Sequence, residues 1–153
     1  MVNVKLPKHL GLIRYYIGAK ILHSNLTYET RTRIVSFRGR KLKLLVADTF
    51  RKKSVGLMNF KQLGNNEGML FVFDRNGRHG FWMLKMKISI DIIWLDEGWK
   101  IVHIWKMAKP CKSIFSCRTV KPDADARYVI ELKAGASSRM HMKIGDRFDA
   151  GSW

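Results

Sequence analysis

From residue 32 onward, the apolar and β-branched residues of this chain fall into short runs that turn signals separate. Runs at 32–37 and 41–47 flank Arg38-Gly39-Arg40, which predicts a hairpin. Runs at 88–95 and 99–107 flank Asp96-Glu97-Gly98, which predicts a three-residue hairpin loop with Gly98 in the left-handed conformation. With further runs at 69–73 and 127–133, the pattern predicts a mostly β (α+β) domain, a small barrel or sandwich with a few short helices.

Two helices are predicted before and within this β-rich region. Residues 8–22 place apolar side chains at helical spacing, which indicates an amphipathic N-terminal helix: Leu10, Ile13, Ile17 and Ile21. Such a helix either docks on the domain or, with its basic residues, lies on a membrane. Asp48 or Thr49 caps a second helix that ends near Met58. We expect a basic segment over residues 1–31 and one domain over 32–153.

The charge of the chain is strongly positive. It holds 29 Lys and Arg against 12 Asp and Glu, a net charge of +17, and most of the excess precedes residue 63. Such a field attracts polyanions, although it also suits a solvated surface. A candidate surface for RNA, single-stranded DNA or another polyanion comprises nine basic residues: Arg31, Arg33, Arg38, Arg40, Lys41, Lys43, Arg51, Lys52 and Lys53.

One polar pair follows from the predicted 96–98 hairpin. If Leu95 pairs with Trp99, then Asp91 faces His103 on an otherwise apolar strand pair. Such a pair serves either as an acid/base couple or ligand anchor, or as a buried structural hydrogen bond. His79 precedes Phe81 and Trp82 in the sequence, and these three residues are candidates for a ligand-stacking pocket.

Other chemistries have no signature here. The histidines form no metal-ligand spacing, no glycine-rich phosphate loop is present, and no nucleophile adjoins Asp91 or His103, so we expect no metal, no cofactor and no hydrolase triad. Cys111 and Cys117 suit either a loop disulfide or two reduced thiols. No apolar run approaches the length of a membrane helix, and basic residues interrupt the N-terminal apolar stretch, so we expect a cytoplasmic protein.

Ordered blocks over residues 44–146 resemble a known family. They are Gly56-Leu57-Met58, Glu67-Gly68-Met69-Leu70-Phe71-Val72-Phe73, His79-Gly80-Phe81-Trp82-Met83, Asp91-Ile92-Ile93-Trp94-Leu95-Asp96, Pro110-Cys111, Tyr128-Val129-Ile130-Glu131-Leu132 and Ile144-Gly145-Asp146. The chain is similar to the domain-of-unknown-function family also called uncharacterised protein family 0127. The resemblance implies a small β-barrel-like domain of bacteria and archaea, with no established activity to carry over.

This chain departs from that family's pattern at several positions. Leu84-Lys85-Met86 stands where the family usually has Lys-Asn-Thr, and basic residues 51–53 stand where its helix usually begins with acidic ones. The leading hypothesis is a non-enzymatic ligand-binding domain with a pocket near Phe81, Trp82, Asp91 and His103. The alternative is nucleic-acid binding along the basic stretch from Arg31 to Lys53, and proton transfer by Asp91 and His103 ranks third.

Overall fold

The computed structural model describes residues 31–151, and most of its regular structure is strand. The elements in chain order are β1 (Thr32–Phe37), β2 (Arg40–Ala47), α1 (Phe50–Val55), β3 (Glu67–Gly77), β4 (Ile90–Leu95), β5 (Ile101–Ala108), β6 (Ala126–Lys133) and α2 (Ala136–Arg139). The predicted mostly β class is confirmed. The helix predicted within residues 8–22 lies outside the described residues.

The six strands form one mixed sheet in the order β1-β2-β3-β6-β4-β5. β2 and β3 run parallel, and the other neighbours are antiparallel. Within residues 31–151 the sheet is not a closed barrel, because β1 and β5 are its two edges. Isolated bridges from the end of the chain reach both sides: Asp149 pairs with Ser36, and Arg147 pairs with Lys100.

Each face of the sheet carries its own apolar core, because successive side chains of a strand point to opposite faces. The first core contains Ile93, Ile130 and Leu132 and is covered by α2 and the segment after it. The second core, on the opposite face, contains Ile92 and Val129 and is covered by residues around α1 and by residues 81–86. A strand such as β4, buried at every position, therefore contributes to both cores.

The hairpin turn after β1 and the N-terminal cap of α1 both form as predicted. Arg38 and Gly39 have φ values of +48° and +78°, so they form a two-residue turn between β1 and β2 with the twist that hairpins favour. Thr49 caps α1, since its side chain accepts a hydrogen bond from the Lys52 backbone N–H at 3.3 Å. The helix ends at Val55, three residues earlier than predicted, and Gly56 follows with φ +48°.

The predicted geometry of the hairpin between β4 and β5 is wrong. The left-handed residue is Trp99, with φ +61°, and not Gly98. In the observed register Leu95 pairs with Ile101 and Trp94 pairs with His103. Because side chains alternate between faces, pairing His103 with Trp94 puts it on the face opposite to that of Asp91. The predicted Asp91–His103 pair therefore does not form.

Candidate functional site

A cleft of about 440 Å³ opens over the second core, between α1 and residues 80–86. Its walls are mainly apolar and aromatic, and they include Phe71, Phe73, Phe81 and Trp82. Volumes of roughly 300–1,000 Å³ with apolar walls and few polar groups are typical of small-molecule sites. The cleft is therefore the candidate functional site of the described domain.

Glu131 supplies a carboxyl group to this cleft. It lies on the central strand β6, paired with Met69 of β3 on one side and Ile92 of β4 on the other. The residue is 5% exposed, and its Oε2 has no hydrogen-bond partner among residues 31–151. Burial raises the pKa of Glu131 to about 8, since desolvation penalises the ionised form. At neutral pH the group is therefore a protonated acid with a hydrogen to donate.

Gly56 lets the end of α1 pass close to this carboxyl group. A Cβ atom at that position would lie 3.3 Å from Cζ of Phe71 and 3.8 Å from Oε2 of Glu131. The positive φ of Gly56 also disfavours any other residue there. Glycine thus keeps this part of the cleft open above the acid.

An aromatic cluster forms the wall beside Glu131. The Phe81 ring meets Phe71, Phe73 and Trp94 edge-on, with centroid distances of 4.9, 6.4 and 5.6 Å. Phe73 is stacked on the His79 ring at 3.6 Å. Edge-to-face and offset-stacked contacts are favourable for aromatic pairs, so the wall is held in a defined shape.

Three of the residues predicted for a pocket lie in this cluster or line the cleft. Phe81 and Trp82 line the cleft, and Trp82 is 44% exposed. His79 stacks on the cleft residue Phe73, and its carbonyl accepts a hydrogen bond from Nε1 of Trp94 at 2.8 Å. The aromatic part of the predicted pocket is therefore brought together, with His79 behind the wall.

His103 lies beside this cluster and away from Asp91. Its ring meets the Trp94 ring edge-on at 5.3 Å, and Nδ1 is 3.6 Å from Oδ2 of Asp123. The imidazole therefore has a carboxylate neighbour, but a different one from the residue predicted. An acid/base couple of Asp91 and His103 has no geometric basis.

Asp91 has a structural environment on the opposite face of the sheet. It is completely buried, and its two oxygens accept four hydrogen bonds, from the backbone N–H groups of Met107, Gly135 and Ser137 and from the Ser137 hydroxyl. Three of these donors belong to the start of α2. Asp91 thus fixes α2 on the first core, and it does not line the cleft.

The nine basic residues of the predicted polyanion surface occupy several places in the domain. Asp48 binds Arg31 at 2.7 Å and Lys52 at 2.9 Å, and the hydrogen bond from Lys52, followed by that from Arg31, lowers the pKa of Asp48 to about 2. Arg38 pairs with Asp146 at 3.1 Å.

The remaining members of that set divide between edge, helix and cleft. Arg33 reaches the Ala150 carbonyl, at 2.7 Å, and the Trp99 ring, while Arg40 and Lys41 are exposed at the start of β2. Lys43 lies further along β2, and Arg51 is exposed on α1.

Lys53 is the one member of the set that lines the cleft. Its Nζ donates to the Val72 carbonyl at 3.0 Å and lies 4.9 Å from the centroid of the Phe73 ring. These contacts hold the ammonium group against the aromatic wall. Nucleic-acid binding by the full set stays a prediction.

Cys111 and Cys117 are joined in a disulfide, with their Cα atoms 5.4 Å apart. Among residues 31–151, His, Cys, Asp and Glu form no cluster of three that would hold a metal ion. In the same part of the chain no helix is long and apolar enough to cross a membrane.

Sequence reasoning did not identify Glu131 as a site residue. The available signal was a lone acid inside the apolar run 128–132, at a position whose neighbour Val129 belongs to the second core. On a strand with one solvated face such an acid is ordinary. It becomes unusual only when β6 is placed between β3 and β4 with both faces covered.

Comparisons with known proteins agree with this fold. The family model DUF192, described as "Uncharacterized ACR", matches residues 33–150. A UPF0127 protein of Pyrococcus horikoshii is 34% identical over 107 residues, which cover 67% of this chain and 82% of that protein. A UPF0127 protein of Thermococcus sibiricus is 33% identical over 109 residues, which cover 68% of this chain and 63% of that protein.

Two solved structures share the architecture. One, from Sinorhizobium meliloti 1021 and provisionally described as a transcription regulator, has a TM-score of 0.69 at 26% identity and covers 78% of this chain and 94% of its own. The other, a protein of unknown function from Novosphingobium aromaticivorans, has a TM-score of 0.67 at 24% identity and covers 81% and 85%. With a family model matched over most of its length, the chain belongs to the uncharacterised DUF192 family, whose relatives cited above carry the name UPF0127.

Proposed function

We propose that the domain binds a small, neutral organic molecule in the cleft between α1 and residues 80–86. The observation that carries this proposal is the unpartnered, buried Oε2 of Glu131 at the cleft. A buried polar group without a hydrogen bond costs roughly 1–3 kcal/mol. A ligand that provides the missing partner removes that cost, which makes Glu131 the natural anchor.

The protonation state of Glu131 selects the chemical class. With its pKa raised to about 8, the acid donates a hydrogen bond at neutral pH, so the complementary ligand group is a carbonyl, ether or hydroxyl oxygen. The body of the ligand then packs against Phe73, Phe81 and Trp82, which favours a ring or another flat apolar framework.

Four of the blocks that carry the family resemblance contribute to this cleft. Gly56, Phe71, Phe81 and Glu131 come from different blocks along the chain, and all four line it. Because residues from four separate blocks line the cleft, the cleft is a better candidate for ligand binding than the first core is. Asp91 and His103, which the sequence favoured, are not part of the proposed mechanism.

The test compares ring compounds that differ only in the acceptor group. Benzamide and acetophenone supply a carbonyl oxygen on a flat ring, whereas toluene lacks it. We expect the two carbonyl compounds to shift the NMR signals of Gly56, Phe81 and Trp82 at about pH 6.5, and toluene to shift them less. The variant Glu131→Met should lose this preference.

A matched control uses an acid outside the cleft. Glu97→Met changes an acid whose Oε2 contacts the exposed side chain of Asn76, so it should bind like the wild type. Equal responses of wild type and Glu131→Met to every compound would disprove the role of Glu131. Preferential binding of benzylamine would instead show that the site takes cations.

A further inference from the structure

The disulfide loop, residues 111–117, presents the most exposed large apolar side chain of the described domain. Phe115 is 95% exposed and its neighbour Ile114 is 63% exposed. Single exposed apolar residues are common, but two adjacent ones at a loop tip form a protruding apolar point. Nothing in the described domain packs over it.

Hydrogen bonds within the loop connect the two residues on either side of this tip. Ser113 and Ser116 bracket the apolar pair, with the Ser116 N–H donating to the Ser113 carbonyl at 3.1 Å and their hydroxyl oxygens 3.0 Å apart. Polar groups that bond to each other are cheaper to move out of water. When the tip enters a less polar medium, those serine groups therefore keep hydrogen-bond partners.

The base of the loop is fixed on the domain. Cys111 forms an isolated bridge with Leu84, and Val120 forms one with Phe81. The Cys111–Cys117 disulfide then closes the loop directly above this base. A constrained loop loses little conformational freedom when its tip binds, which favours binding.

Basic side chains flank the apolar tip in the sequence. Residues 109–121 contain four basic side chains and no acidic one, and all four are exposed: Lys109, Lys112, Arg118 and Lys121. None of the four forms an ion pair with another described residue. An apolar point flanked by exposed cations is complementary to a bilayer surface, where acyl chains lie beneath anionic headgroups.

We propose that the disulfide loop is a docking element for anionic lipid bilayers, inserting Phe115 and Ile114 at the interface while the flanking Lys and Arg side chains bind headgroups. This attachment is peripheral and needs no membrane-spanning segment. It is independent of any ligand in the cleft, because the cleft residues and the loop tip are different.

The experiment measures binding of the full chain to vesicles by co-sedimentation at low salt. We expect binding to vesicles of phosphatidylcholine with one-third phosphatidylserine, and little binding to phosphatidylcholine alone. Phe115→Ser should weaken binding to the anionic vesicles at least about tenfold, since burial of a Phe side chain contributes that much or more. The pair Lys112→Glu and Arg118→Glu should weaken it as well.

Ile144→Ser is the matched control, because Ile144 is 68% exposed and lies outside the loop. It should bind vesicles like the wild type. Equal vesicle binding by Phe115→Ser and Ile144→Ser would overturn the proposal, as would equal binding of the wild type to neutral and anionic vesicles. So would a Phe115→Ser variant that loses affinity for single-stranded RNA but not for vesicles.

Discussion

Both oxygens of Asp91 accept hydrogen bonds from the start of α2, and Ser137 donates two of them to Oδ2, from its backbone nitrogen at 2.8 Å and its hydroxyl oxygen at 2.6 Å. The carboxylate replaces the hydrogen-bond acceptors that the first residues of a helix lack. Asp91, which the sequence suggested as a catalytic or ligand-binding residue, therefore has a structural role: its hydrogen bonds hold α2 against β4.

Asp91→Asn should destabilise the domain strongly. The amide keeps one acceptor oxygen but places an NH₂ group among N–H donors, so at least one buried donor loses its partner. We expect the free energy of unfolding to fall by about 2–4 kcal/mol. Urea unfolding followed by circular dichroism measures it. Asp74→Asn, at an exposed acid, should change the free energy of unfolding little. Equal decreases in the two variants would contradict the structural role of Asp91.

Glu131 should make stability depend on pH. Its pKa is about 8 in the folded protein against an ordinary 4.5. Between these values the folded state holds a proton that the unfolded chain has released, so raising the pH lowers the free energy of unfolding, by up to about 1.4 kcal/mol per pH unit. Urea unfolding at several pH values between these limits should show this slope in the wild type.

Glu131→Gln should remove most of that slope, because the amide does not titrate. The variant should therefore gain stability relative to the wild type as the pH approaches 8. Glu97→Gln, at an exposed acid, should retain the wild-type slope. If Glu131→Gln and the wild type showed parallel pH profiles, the carboxyl would not be buried as described.

Gly56→Ala should both destabilise the domain and narrow the cleft. Gly39 provides the control, because it also has a positive φ, but a Cβ atom added there would have no neighbouring atom within 4 Å. Gly39→Ala should cost only the backbone strain, about 1 kcal/mol. Gly56→Ala should cost more, because Gly56 combines its positive φ with a ψ of −135°, which other residues rarely adopt, and because the added Cβ would lie 3.3 Å from Phe71. Thermal unfolding of both variants tests this order.

Binding of RNA along the basic stretch is tested at its exposed hairpin end. If phosphates contact this region, replacing Arg40 and Lys41 with Glu should weaken binding to every RNA sequence alike. The slope of log affinity against log salt should then fall by about 2. Fluorescence anisotropy with a labelled single-stranded oligonucleotide measures both quantities. No binding by the wild type at low salt would end the nucleic-acid hypothesis.

Local signals in the sequence predicted local structure well. The Arg38-Gly39 turn and the Thr49 cap depend on residues within one turn of chain, and both occur as expected. Phe81 and Trp82, which the sequence suggested for a pocket, both line the cleft, and their role in binding stays a prediction. The predicted hairpin after β4 was wrong because neither a left-handed tryptophan at position 99 nor the register shift between Trp94 and Leu95 has a sequence signal. The register shift is what moves His103 to the opposite face from Asp91.

Glu131 could not be predicted as a site residue from the sequence, for a different reason. Its chemistry depends on burial, and its burial depends on α1, on residues 80–86 and on two neighbouring strands that are distant in sequence. The pattern of β6 alone does not distinguish an acid facing water from one facing a cleft. Only the order of strands in the sheet makes that distinction.

That strand order also affects how the protein is made. β6 lies between β3 and β4, so in the six-stranded order of residues 31–151 it is the strand that connects β1-β2-β3 with β4-β5. A ribosome releases β1 to β5 before this connecting strand exists, which leaves the inner edges of β3 and β4 unpaired during synthesis. Assembly of the sheet, and with it the burial of Glu131, therefore waits until translation has passed residue 133.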